Sequence, residues 1–283
     1  MQLDPRFDQQ VTRVSGAAAE ALVSAGATVL DVRTPDEFTA LGHIPGARLL
    51  PVHLSASAPA VLENPDQPLL VCCEHAVRSR FAARLLAQAG YTAVHELADG
   101  MAGWRGARAF DPGAVTGPSM WLVDNGDLLP ASGRVLDVAC GNGRHALLLA
   151  AAGFAVTAVD RDMAALERLR GQARRLELNV RVEAMDLEAS VVSLGQAAFD
   201  LIVVTRYLHR PLFPCLVEAL APGGALVYET FLVGQGERGH PRNPAFLLEP
   251  GELLRMVHPL EVLRSREGDF EGAMLASVVA RRS

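Results

Sequence analysis

Short apolar runs punctuate this chain. Between them, apolar positions return at the three-to-four-residue spacing of a helix. Thr28–Val32, Pro68–Cys72 and Ala93–Leu97 are such runs in the first third. Val135–Val138, Ala155–Asp160, Val180–Asp186, Phe199–Thr205 and Ala221–Thr230 follow, with two more near Leu260–Arg264 and Ala273–Ala280. Brief apolar runs of this kind predict buried parallel strands. Helices are predicted from Ser15, a candidate cap, to Gly26, over Ser79–Ala89, over Ala146–Ala150, and from Asp162, another candidate cap, to Arg170. Strands alternating with helices predict an α/β chain built on parallel sheets.

The stretch Gly106–Ser119 breaks this rhythm with glycine and proline and predicts a linker. The expected organisation is a first domain over residues 1–108, a linker over 109–119 and a second domain over 120–283. A second Gly/Pro-rich stretch, Leu232–Pro250, lies beyond a predicted strand and reads as a lid.

Composition narrows the classes of function. The 283 residues leave room for two domains, each with its own core. The net charge is −6, and the acidic excess is shared between the two halves. A surface made to grip nucleic acid shows the opposite sign, so a nucleic-acid substrate is not expected. All 26 basic residues are arginine, which removes lysine from any mechanism. The four cysteines are few and unevenly spaced, as expected in a reducing cytoplasm. No signal-peptide pattern and no long apolar run is visible, so no membrane span is expected.

Two stretches carry chemistry. Cys73 follows a predicted strand and precedes a helix, with Arg78 five residues on. Loop N–H groups around the sulfur and the charge of Arg78 would favour a reactive thiolate. Cys72 is then an ordinary strand residue. Cys72, Cys73 and His75 fit no common zinc spacing, so no metal is expected. The other stretch is Arg134–Ala150, where a strand runs into a turn with Gly141 and Gly143 and then into a helix. Such a turn lets a ligand press against the backbone and aims free N–H groups at it. Gly141-x-Gly143-x-x-Ala146, with Asp160 near the spacing of a ribose acid, fits a dinucleotide site.

Both stretches resemble known families. Asp31-Val-Arg33, Glu37-Phe38, Gly42-His-Ile-Pro-Gly-Ala47, Cys73-x4-Arg78-Ser79 and Gly103-Trp104 together resemble a rhodanese-like domain. That resemblance implies a sulfurtransferase in which Cys73 carries sulfane sulfur, Arg78 assists, and Asp31 and Arg33 shape the site. Ala76 stands where many such loops have glycine, which predicts a different backbone path there. Asp137-x-Ala139-x-Gly141-x-Gly143 resembles motif I of class I S-adenosyl-L-methionine (SAM) methyltransferases, which have a seven-stranded Rossmann-like sheet. Ala139 again replaces the usual glycine and predicts an altered turn.

The methyltransferase resemblance implies that SAM meets Asp137, Ala139, Gly141, Gly143, Asp160, Arg161, Asp186, Leu187 and Thr205. Met163 is placed either against the adenine or in simple packing. Arg206, Tyr207, Arg210 and Glu229 are candidates for substrate contact, and His209 for a general base. The segments Gly141-Asn-Gly-Arg144, Tyr207-Leu-His-Arg-Pro211 and Pro250-Gly-Glu-Leu-Leu254 are similar to the tellurite-resistance and thiopurine branch of that family. The expected partners are a small thiol, sulfide or chalcogen acceptor and a sulfane-sulfur donor. Two other readings stay open. One is RNA thiolation and methylation; the other is a non-catalytic rhodanese-like docking module that controls the methyltransferase.

Overall fold

A computed structural model describes residues 3–62 and 64–283. The chain divides into two compact units, 1–117 with 171–178, and 118–170 with 179–283.

The first unit is built on five parallel strands: β1 (Val11–Val14), β2 (Thr28–Asp31), β3 (Arg48–Leu49), β4 (Leu69–Cys72) and β5 (Val94–Leu97). Their order is β1-β5-β4-β2-β3. The inner strands are the predicted ones. The two edge strands are absent from the predicted set, because β1 has two polar residues, Thr12 and Arg13, at its centre and β3 is only two residues long. One core packs Val29, Leu70, Cys72 and Leu97 against Ile44, Met101 and Trp104. Ser15 makes no side-chain cap on the helix Gly16–Ser24, contrary to expectation. The helix Pro35–Ala40 has the reciprocal cap that its Thr-Pro-Asp-Glu start encodes. Glu37 N–H donates to Thr34 Oγ1, and Thr34 N–H donates to Glu37 Oε2.

The expected linker is tied to this first unit over most of its length. Ala109 and His43 exchange backbone hydrogen bonds, and Thr116 N–H donates to Leu49 O. The boundary therefore falls at Gly117 and Pro118.

The second unit has seven strands: β6 (Arg134–Val138), β7 (Ala155–Asp160), β8 (Val180–Ala184), β9 (Phe199–Thr205), β10 (Leu220–Phe231), β11 (Glu261–Phe270) and β12 (Ala273–Arg281). Their order is β11-β12-β10-β9-β6-β7-β8. Strands β6 to β10 are parallel, and β12 runs antiparallel to both of its neighbours. This is the predicted Rossmann-like sheet. Parallel pairing brings the carboxyl ends of β6, β7, β8 and β9 to one edge, where ligands of such sheets bind.

The Leu232–Pro250 stretch is pinned rather than lid-like. Leu248 N–H donates to Phe231 O, Val233 N–H donates to Leu248 O, and Leu247 and Leu248 are buried. Among the described residues no helix is long and apolar enough to cross a membrane.

Candidate active sites

Strand β4 ends at Cys72, and the chain turns through Cys73 to Ala76 before the helix Val77–Ala89 begins. Alternation along the strand sends Cys72 into the core, where burial pushes its thiol well up. Cys73 lies inside the loop instead. Its sulfur accepts Ser79 N–H at 3.2 Å, and its thiol faces Ser79 Oγ at 3.4 Å. The loop is held from outside and inside. Met101 N–H donates to Cys73 O, and Ala102 N–H donates to Glu74 O. Gly100 makes this closeness possible: it sits at φ +61°, and a Cβ there would lie 2.2 Å from Glu74 O.

Beneath the loop, Arg33 is fully buried. Its Nε and Nη2 donate to the buried Asp31 at 3.0 and 2.7 Å, and its Nη1 donates to Glu74 at 2.8 Å. Asp31 and Arg33 thus brace the loop. Arg78 stands beside Cys73 with its charge fixed by a carboxylate. Its guanidinium is forked on Glu37 at 2.7 and 2.5 Å, which holds the Glu37 carboxyl down to about 2.

Ala76 adopts the left-handed conformation that glycine permits, at φ +56°. The same holds at Ala139, at φ +54°. Each left-handed alanine carries a local cost of about 1–2 kcal/mol.

In the second unit, Ala139, Asp160, Arg161, Asp186, Leu187 and Tyr207 meet in one cavity of about 140 Å³, with Met185 and Glu188. Asp160 ends β7 and is held in place by Gly141 N–H at 2.8 Å and Asp162 N–H at 2.9 Å. The hydroxyl of Tyr207, which lines this cavity, is buried without a hydrogen-bond partner. Asp137, Gly143 and Thr205 shape the turn from behind. Asp137 accepts Ala146 N–H at 3.0 Å, and burial pushes its carboxyl up to about 7. Gly143 packs so closely that a Cβ would meet the Leu169 side chain at 2.4 Å. Thr205 Oγ1 lies 3.4 Å from His145 Nδ1, and burial keeps that imidazole neutral.

Two expected substrate contacts and the expected base lie outside this cavity. Glu229 is fully buried, and its oxygens accept from Ser119 Oγ, Ser277 Oγ and Arg266. Arg210 is spent on Glu252 and on the carbonyls of Ala245 and Leu247, so it anchors the pinned stretch. His209 lies in a second cavity of about 280 Å³ with Val192, Leu212 and Cys215, joined to the first through Leu187. Arg206 is exposed at the sheet edge. It takes a left-handed conformation at φ +55°, lies over the Phe231 ring at 5.2 Å and approaches Glu271 at 3.9 Å.

Comparison with known proteins follows the same division. Residues 15–107 match the family described as the rhodanese-like domain, and residues 135–224 match a methyltransferase domain. The thiosulfate sulfurtransferase GlpE of Ectopseudomonas mendocina is 42% identical over 93 residues, which are 33% of this chain and 84% of that relative. GlpE of Stutzerimonas stutzeri is 38% identical over the same length and share. The chain belongs to the rhodanese-like family. In addition to its rhodanese-like domain it carries a methyltransferase domain. TehB from Haemophilus influenzae has a TM-score of 0.50 and 21% identity, over 59% of this chain and 63% of that one. That likeness shows the shared sheet fold.

With both domains in place, the residues that the sequence reading missed can be named. In the rhodanese-like domain they are Ser79, Glu74 and Gly100, whose roles depend on loop packing. In the methyltransferase domain they are Met185 and Glu188, which flank the expected Asp186 and Leu187. Met163 is 61% exposed and lies outside that cavity, so Met185 supplies the sulfur-bearing wall. Arg144 is the main omission. It follows Gly143 directly, and burial with the nearby Arg206 lowers its pKa. Among the described residues it makes no side-chain hydrogen bond and no ion pair. Its place beside the glycine turn was the available signal.

Proposed function

We propose that this protein is a SAM-dependent methyltransferase for a small thiol, sulfide or related chalcogen acceptor, coupled to a sulfurtransferase that carries sulfane sulfur on Cys73. The observation that carries the reading is the cavity that gathers Asp160, Asp186, Leu187 and Tyr207 at the carboxyl edge of the sheet. Its donor set suits an adenosine. Each Asp160 oxygen already accepts one N–H and retains a lone pair for a ribose hydroxyl. Met185 and Leu187 offer apolar faces for the base, and the Tyr207 hydroxyl is free to bond. Three acids against one arginine disfavour a ribose phosphate, and with it NADP.

SAM, when bound, supplies a methyl group on a sulfonium centre. The chain's own residues orient and exclude. Asp160 and Asp186 hold the nucleoside, while Arg144, and Arg206 beside its distant partner Glu271, offer positive charge to an anionic acceptor. A thiolate, sulfide or chalcogen anion needs little further activation. His209 lines the adjoining cavity and is the proposed base for a neutral thiol.

In the first unit, Cys73 Sγ attacks the outer sulfur of a thiosulfate-class donor. A Cys73 S–S bond forms, the donor's S–S bond breaks, and sulfite leaves with the bonding electrons. A thiol or cyanide then takes the outer sulfur, and the electron pair returns to Cys73. The assignment of residues 1–108 and 120–283 to these two activities is part of the proposal, as are small-molecule partners and a cytoplasmic setting. The four free cysteines suit a reducing compartment.

A screen of methyl acceptors with labelled SAM tests the reading. Transfer to thiols, sulfide, selenite or tellurite is expected. Turnover with oxygen or nitrogen acceptors alone would overturn it.

A further inference from the structure

A second polar cavity lies behind the sulfur loop. It measures about 260 Å³ and is lined by Asp8, Val11, Arg13, Arg80, Arg84 and Glu96. Arg80 and Arg84 stand one turn apart on the helix Val77–Ala89 and share a face. Arg13 on β1 and Glu96 on β5 are register partners. The Glu96 side chain is 1% exposed, so its charge requires compensation. Arg13 Nε at 3.2 Å and Arg80 Nε at 3.7 Å provide it. Arg84 Nε lies 2.7 Å from Asp8, but the alignment is poor and that buried N–H makes no hydrogen bond. Three arginines thus face two acids. Among the described residues, Arg80 and Arg84 spend none of their guanidinium N–H groups in hydrogen bonds.

The cavity is wired to the sulfur. The Ser79 hydroxyl donates to Glu96 Oε1 at 3.5 Å, and the Cys73 thiol faces Ser79 Oγ at 3.4 Å. Cys73, Ser79 and Glu96 are all buried, so this chain of contacts is shielded from water.

The geometry points to a binding site for a small tetrahedral oxyanion of the sulfate or phosphate class, whose occupancy slows the reaction of Cys73. Such an ion accepts several N–H groups and carries the charge that this excess of arginine lacks. On binding it draws Arg13 and Arg80 away from Glu96. Glu96, less compensated, then holds the Ser79 hydroxyl more tightly, which makes Ser79 Oγ a better acceptor of the Cys73 thiol proton and favours thiol over thiolate. The nucleophile is then worse supported.

The test uses the full-length protein, sodium sulfate as probe and sodium chloride of equal ionic strength as control. Calorimetry reads binding, and mass spectrometry of the Cys73 peptide reads alkylation by iodoacetamide. Neither readout depends on sulfurtransferase activity, so failure here is separable from failure of the catalytic reading. Saturable binding is expected in the millimolar range, with alkylation slowed about threefold or more at saturation. Arg80→Gln and Arg84→Gln should each weaken binding about tenfold, and Arg84→Lys, which retains the charge, should weaken it less. Ser79→Ala should bind sulfate yet show no change in alkylation on binding. No saturable binding, or equal binding by wild type and both glutamine variants, would overturn the site. Saturation without slower alkylation would overturn the coupling.

Discussion

The sulfur loop and the glycine turn are built alike and finished differently. Each follows a parallel strand, precedes a helix and places an alanine at positive φ. Around Cys73, the neighbouring charges are matched: Arg33 with Asp31 and Glu74, and Arg78 with Glu37. Around the turn, among the described residues, the Arg144 and Arg206 guanidinium groups and the Tyr207 hydroxyl make no hydrogen bond, and Arg206 has only the distant carboxylate of Glu271 at 3.9 Å. The contrast follows from where the reacting atoms come from in the proposed chemistry. A sulfur that belongs to the chain is best served by a closed, fixed cradle. A site whose reactants arrive from solution must keep groups free to receive them.

The largest effect that would sharpen this contrast is chemical. Cys73→Ala should lower thiosulfate-to-cyanide transfer at least about 10³-fold and leave methyl transfer unchanged. A wild type without measurable sulfur transfer would instead favour a docking role for the first unit. Next comes the brace. Arg33→Met leaves Asp31 charged, buried and unpaired, so urea denaturation of the first unit should show a loss of about 3–5 kcal/mol. An equal loss in the second unit would break the distinction between the two sites.

A smaller effect concerns pH. Asp137 has an ordinary value of 3.8 and is raised to about 7 in the fold. Between those values the folded state holds a proton that the unfolded state releases. Stability of the second unit should therefore fall as pH rises through that window. Asp137→Asn, which can still accept Ala146 N–H, should flatten the dependence of the thermal midpoint on pH. The smallest effect is common to both sites. Ala76→Gly and Ala139→Gly should each stabilise by up to about 1 kcal/mol, because relief of the left-handed strain outweighs the added freedom of the unfolded chain. Loss of stability at either position would mean that the methyl group packs usefully.

The parallel sheets were legible because Leu69–Cys72, Val135–Val138 and Phe199–Thr205 are short runs between turn residues, apolar except for Asp137, Asp200 and the terminal Thr205. The ends of those strands were legible too, so Asp160, Asp186 and Leu187 could be placed at one site in advance. Side-chain commitment was not. Glu229 and Arg210 stand at the right edge of the sheet, yet partners distant in sequence claim them: Ser277 and Ser119 for one, Glu252 for the other. A linear pattern shows where a side chain starts and says nothing of which donor reaches it first. The two alanines are a different case. A steric preference of about 1–2 kcal/mol argued for another path there, yet both residues adopt the left-handed conformation.

Glu37 performs two tasks at one place. Its carboxylate closes the cap on the helix Pro35–Ala40 and also grips Arg78 beside the sulfur loop. A single protonation would therefore release a helix end and a loop arginine together. Because Arg78 holds that carboxyl down to about 2, this joint latch stays shut across the mildly acidic range and weakens only as pH falls from about 4.5 toward 2.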